Sequence, residues 1–147
     1  MKIVLILCCM VLFSAQTFAA GVGYINYEKV ASEYQYAKSS MREIETKGRE
    51  IETYLKAKEA EFNKLETPLQ KKKFQETVQA ELKTKEQAFN DFRNKREEQV
   101  YQRIYAVAEK IRLEKELDVL IDARGVFSGG IDISDVLIQR LNANGMK

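Results

Sequence analysis

No histidine and no tryptophan occur among the 147 residues of this chain, and there is one proline and two cysteines. Without histidine, Ser-His-Asp hydrolysis and nearly all zinc sites are excluded. Cys8 and Cys9 lie close to the amino end, so nothing beyond them can act as a thiol nucleophile or form a disulfide staple. What remains is carboxylate, lysine, tyrosine and hydroxyl chemistry. The carboxylate candidates, Asp118 with Asp122 and Asp132 with Asp135, have plainer readings. The first pair bounds an apolar strand; Asp132 caps a helix whose dipole Asp135 complements. The chain does not read as an enzyme, and no cofactor or metal is implied.

An excess of charge of one sign is missing as well. Met1 and Lys2 precede an apolar run, Ile3 to Phe13, and small residues follow that suit cleavage after Ala19. Residues 1–19 read as a secretory signal peptide, since the run is shorter than the ~20 apolar residues of a membrane span. Its removal takes both cysteines and leaves 23 basic against 22 acidic residues. The remaining chain is near neutral, which argues against nucleic acid as a partner.

What the sequence has in quantity is helical periodicity. Ala37, Met41, Ile44, Gly48, Ile51, Leu55, Lys58, Phe62 and Leu65 alternate at spacings of four and three, the pattern of a coiled-coil seam. Phe74, Val78, Leu82, Lys85, Phe89, Phe92, Arg96, Val100, Ile104, Val107 and Ile111 continue it, with one extra residue near Arg96 that shifts the supercoil locally. Between the two series stands the single proline. Thr67-Pro68-Leu69-Gln70 fits a capping box with proline at the first helical position. The spacing predicts an antiparallel helical hairpin, residues 36–97, with its tip near Thr67-Pro68. A turn at Glu66-Thr67 would place Leu65 by Leu69, Leu55 by Val78, Ile44 by Phe89, Met41 by Phe92 and Gly48 by Lys85.

The two ends of the chain, residues 20–35 and 98–147, read as a body. A strand ends at Asn26, which caps a helix from Tyr27 to about Tyr34; Leu117 to Ile121 reads as a buried strand, Val126-Phe127-Ser128 as a third, and Asp132 to Asp135 caps a closing helix. The fold class is therefore α+β: a small β-rich oligomerisation body of three short strands plus short helices, carrying a long antiparallel α-helical coiled-coil arm. Ile25, Val100, Ile104, Val107, Ile111, Val119 and Ile121 are the candidates for body or subunit packing. Open strand edges and a small core both favour self-association, and Val100 to Ile111 lie beyond the reach of the first long helix. Tyr101 and Tyr105 flank that stripe.

Lys56, Lys58, Lys64, Lys71, Lys72 and Lys73 make the arm tip locally positive; with Tyr54 they are candidates for contact with clients or anionic surfaces. Arg93, Lys95 and Arg96 form a second basic cluster beside Glu97 and Glu98, read as helix-surface pairing. Gly48 interrupts the seam and reads as a flexible point in the arm.

The order and spacing of Tyr24-Ile25-Asn26, the charged hairpin, Leu117 to Ala123 and Asp132 to Leu137 resemble the Skp/OmpH family of periplasmic chaperones over essentially the whole mature chain. The resemblance implies a homotrimer whose arms enclose a cavity, holding unfolded outer-membrane proteins in the periplasm without ATP. It also suggests anionic lipid or lipopolysaccharide headgroups as partners. The hairpin is shorter than in the family's best-known member. A structural coiled coil that tethers or spaces envelope partners is the alternative; the interruptions at Gly48, Lys58, Lys85 and Arg96 count against it.

Overall fold

The computed structural model describes residues 21–144, so the expected signal peptide lies outside the described residues. Strand β1 (Val22–Ile25) opens the chain, followed by helix α1 (Tyr27–Glu33) and two long helices, α2 (Gln35–Phe62) and α3 (Pro68–Glu114). Strand β2 (Val119–Asp122), a 3-10 turn (Ala123–Gly125), strand β3 (Ile131–Asp132) and helix α4 (Ser134–Asn144) close it. All three strands are parallel, in the order β2-β1-β3. Parallel neighbours need a long crossover, and between β1 and β2 that crossover is the whole arm.

The arm forms as its periodicity requires. At 1.5 Å rise per residue, α2 is roughly 40 Å long and α3 roughly 70 Å. The predicted capping box is present: the Gln70 amide donates to Thr67 Oγ1 at 3.3 Å, and the Thr67 amide donates to Gln70 Oε1 at 3.2 Å. Helix α2 ends four residues earlier than the expected turn, at Phe62. Residues 63–67 then make the connection without advancing as helix, and the pairing shifts by about one turn. Gly48 consequently faces Phe89, 3.9 Å from where its Cβ would stand, and not Lys85. Lys85 instead lies over the ring of Tyr54.

The core lies in the body. Val30 and Tyr34, Val100, Ile104, Ala108 and Ile111, Leu117, and Ile133, Leu137, Ile138 and Leu141 form one buried cluster. The stripe Val100–Ile111 is thus covered by the chain's own α1 and α4, with Val107 half-buried at its edge; it does not need a second chain.

A hydrogen-bonded clasp fixes the closing helix. Asp132 Oδ1 accepts from both the Ser134 amide (2.8 Å) and the Ser134 hydroxyl (2.6 Å), and Ser134 Oγ accepts from the Asn26 amide at 2.9 Å. Asn26 Oδ1 meanwhile caps α1 by accepting from the Lys29 amide at 3.0 Å. One buried serine therefore ties the end of β1 to the start of α4. Both hydrogen bonds to Asp132, the Ser134 hydroxyl first, hold its carboxyl below the usual carboxylate range.

The third strand is not where the sequence suggested. Val126-Phe127-Ser128 is irregular, and Phe127 is fully exposed. Pairing with β1 falls instead to Ile131 and Asp132, opposite Gly23 and Tyr24. Gly129 and Gly130, with φ of +80° and +89°, turn the chain onto that edge. The second strand also differs from its expected reading. Leu117 is buried but precedes the strand, while Val119 and Ile121 face outward, 42% and 36% exposed. Only one face of this sheet meets the core, so alternate residues of the apolar run are left outside.

Candidate functional site

Along the arm no side chain from Met41 to Gln99 is buried. Two antiparallel helices offer a seam one side chain deep, so every seam residue keeps an exposed flank. Shallow grooves result. One, of about 360 Å³, has Ile51, Ala88, Phe89 and Phe92 as its floor with Lys47, Glu50 and Lys85 at its rim. Nearer the tip, a groove of about 530 Å³ runs over Leu55, Phe62, Phe74, Val78 and Leu82 beside Lys58. At the root, about 550 Å³ opens between α1 and the arm, lined by Tyr27, Ala31, Ala37, Met41, Ile44 and Val100. The hydroxyl of Ser40, buried there, has no hydrogen-bond partner among the described residues. Apolar surface also shows openly, Met41 and Leu69 being 56% and 64% exposed.

The basic residues singled out in the sequence divide into two groups. Lys58 is engaged: it pairs with Glu61 at 2.9 Å and lies over the rings of Tyr54 and Phe74. Its ammonium is held above the usual lysine range, first by the hydrogen bond to Glu61. Lys71 lies over the Phe62 ring. Lys56, Lys64, Lys72 and Lys73 are exposed. Tyr54 is half-buried and donates its hydroxyl to Glu81; that bond, with burial and the carboxylate's charge behind it, pushes the phenol up to about 12. In the second cluster, Arg93 reaches Glu97 at 4.0 Å, whereas Arg96 crosses to Glu43 on α2.

In the body, Val22, Val119, Ile121, Tyr101 and Tyr105 are all exposed. The two tyrosine rings stack with centroids 6.3 Å apart. Between them and the sheet runs a groove of about 460 Å³ over Ile25, Ile104, Ala108 and Leu120. Of the packing candidates, Val100, Ile104 and Ile111 are core; Ile25, Val119 and Ile121 line this groove.

Two features escaped the sequence reading. Phe127 is one: it stands clear of the body on the loop before Gly129, where a strand was expected. The other is that cations cover the rings of the seam, as Lys47 covers Phe92 with its ammonium 5.2 Å from the ring centre. The available signal was the recurrence of lysine or arginine three to five residues from a seam aromatic; which cation reaches which ring depends on the register, and that was shifted. Among the described residues no acidic or sulfur cluster suits a metal ion, and no helix is long and apolar enough to cross a membrane.

The family model described as Outer membrane protein (OmpH-like) matches residues 21–141. A crystal structure from Caulobacter crescentus CB15, described as a candidate outer membrane chaperone (OmpH-like), is similar over 85% of each chain, with TM-score 0.50 and 16% identity. At that identity the likeness is one of fold. No curated protein matches the chain. The family match takes in the sheet, both long helices and most of α4, and the chain therefore belongs to the OmpH-like family of outer membrane proteins.

Proposed function

We propose that this protein is an ATP-independent periplasmic holdase, exported by a cleaved signal peptide, that binds unfolded outer-membrane proteins between helical arms and prevents their aggregation. The observation that carries the reading is the arm itself: a helical hairpin in which no side chain from Met41 to Gln99 is buried, grooved and lined with apolar residues. An unfolded β-barrel protein presents alternating apolar side chains and unpaired edges. Weak, numerous contacts spread along a shallow surface suit such a client, and a deep pocket would not.

Self-association completes the reading. A single arm encloses nothing, and the exposed apolar face of the body, with free edges on β2 and β3, supports assembly into a ring, the homotrimer being the form we propose. The tip is suited to anionic partners, lipid or lipopolysaccharide headgroups included. Lys71, Lys72 and Lys73 stand in the opening turns of α3, a helix with no acidic residue in its first turn, so their charge adds to the positive end of the dipole.

The test is light scattering as a urea-unfolded outer-membrane barrel protein is diluted into buffer with and without the mature chain, no nucleotide being present. Suppression near one oligomer per client is expected. A folded, oligomeric preparation that fails to suppress aggregation would leave a coiled-coil spacer of the envelope as the function.

A further inference from the structure

Every aromatic ring of the arm lies under a cation. Arg103 covers Tyr36, Lys58 and Lys85 cover Tyr54, Lys71 covers Phe62, Lys58 covers Phe74, Arg93 covers Phe89, and Lys47 with Arg96 covers Phe92. In the body the described rings, Tyr24, Tyr27, Tyr34, Tyr101, Tyr105 and Phe127, carry none. The pattern follows the arm and not the chain as a whole.

The covering cations are not equally committed. Lys58, Arg93 and Arg96 each have a carboxylate partner. Among the described residues Lys47 and Lys85 form no ion pair, and both are exposed. Both belong to the groove floored by Phe89 and Phe92, whose single acid is Glu50. An ammonium over a ring at an exposed site gains about 0.5–1 kcal/mol. An ion pair with a carboxylate at such a site is worth a similar amount. A carboxylate arriving in the groove therefore draws the ammonium aside at little cost. The part of the Phe92 ring that Lys47 covered is then free for an apolar side chain, while Arg93 and Arg96 keep their carboxylate partners.

We propose that this groove, with Lys47 as a movable cover over Phe92 and Lys85 as a second ammonium at its rim, selects extended segments in which an aromatic or aliphatic residue stands next to an acidic one. Neighbouring side chains on an extended segment point to opposite sides. With the apolar side chain on Phe89 and Phe92, the neighbouring carboxylate projects away from the floor, where only the long flexible side chains of Lys47 and Lys85 can turn up to meet it. Segments flanked by lysine gain the ring contact only against repulsion from two ammonium groups, and segments flanked by serine leave Lys47 over its ring. The inference rests on the client-holding reading and adds to it a preference among client sequences.

The experiment compares fluorescein-labelled peptides of equal length in which phenylalanine alternates with aspartate, serine or lysine, titrated with the mature protein at low salt and followed by anisotropy. The aspartate peptide should bind about fivefold tighter than the serine peptide, the gain of one or two exposed ion pairs, and the lysine peptide weakest. In K47Q/K85Q the aspartate and serine peptides should bind alike. In K47E/K85E the order should invert in favour of lysine, a gain that a misfolded variant would not produce. Equal binding of all three peptides by the unmodified protein, or a preference for aspartate that survives K47Q/K85Q, overturns the proposal. The same preparations are assayed for suppression of barrel-protein aggregation. Suppression without peptide preference removes the groove's selectivity and leaves the holdase; preference without suppression does the reverse.

Discussion

Glu116 is a residue in the wrong conformation for its type. Its φ of +53° puts it in the left-handed region just past the end of α3. The Leu117 amide donates to the Arg112 carbonyl at 3.0 Å and the Glu116 amide to the Leu113 carbonyl at 3.2 Å, the hydrogen bonds of a Schellman motif, which normally places glycine here. Arg112 supports the bend, donating to the Leu117 carbonyl at 2.6 Å while it pairs with Glu109. Glu116→Gly should therefore raise stability by about 1 kcal/mol, read as a higher urea midpoint. Gly23 is the opposite case. A Cβ there would stand 2.5 Å and 2.6 Å from methyl groups of Leu120 and Leu117, between both neighbouring strands. Gly23→Ala should cost about 1–3 kcal/mol through overpacking, and a urea midpoint equal to that of the unmodified protein would show that the leucines simply step aside. At Tyr54 the bond to Glu81 sets a pH dependence. A phenol raised from 10.0 to about 12 favours the folded state below pH 10, and that advantage is lost as pH rises through 12. Relative to Glu81→Gln, the protein should be more stable at neutral pH and lose that margin as pH rises from 10 to 12; urea midpoints of the two proteins followed against pH check it.

Among the elements, the long helices were the most legible. Their seam, their charged flanks and the capping box all sit in local sequence, and each recurs where the periodicity put it. Register was less accessible, because it depends on how many residues the turn consumes; residues 63–67 spend five on a connection that the seam pattern reads through. The strands were hardest. Val119-Leu120-Ile121 is apolar throughout, yet its outward residues face solvent in the single chain, and nothing in composition separates the side facing the core from a side awaiting a partner. Val126-Phe127-Ser128 has strand-like composition, but tertiary pairing went to Ile131, where the glycines turn the chain alongside β1. The candidate site was legible as charge and aromatic content; the pairing of each cation with its ring was not. Gly48 belongs to this scale as well. With only the edge of Phe89 nearby, at 3.9 Å, a methyl group there finds ordinary contact. Gly48→Ala should stabilise the arm by about 1 kcal/mol, visible as slower amide exchange across α2. If Gly48 lets the arm flex around clients, the stiffened variant should also suppress aggregation of a narrower range of client sizes; an unchanged range would make the glycine a packing detail.

The whole molecule separates stability from the work we propose for it. The core is confined to the body, and the arm has none of its own, so changes on the arm surface should leave the fold intact. Changes on the outer face of the body act differently. Val119→Ser with Ile121→Ser removes apolar surface that the single chain already exposes. Helicity should be retained while the oligomer we propose dissociates at a concentration about tenfold higher, measured by sedimentation; unchanged assembly would move the interface to another part of the body. The parallel pairing of β1 with β2 has a kinetic consequence too. Val22 and Val119 are register partners across the entire hairpin, so the sheet cannot close until nearly all of the chain is present. The hairpin's own contacts are nearer in sequence, most of all at the tip, and loop closure there is fast. During synthesis a helical arm would stand formed while the body is still an unpaired strand waiting for its neighbour. For a time the protein we propose as a holder of unfolded chains is itself one.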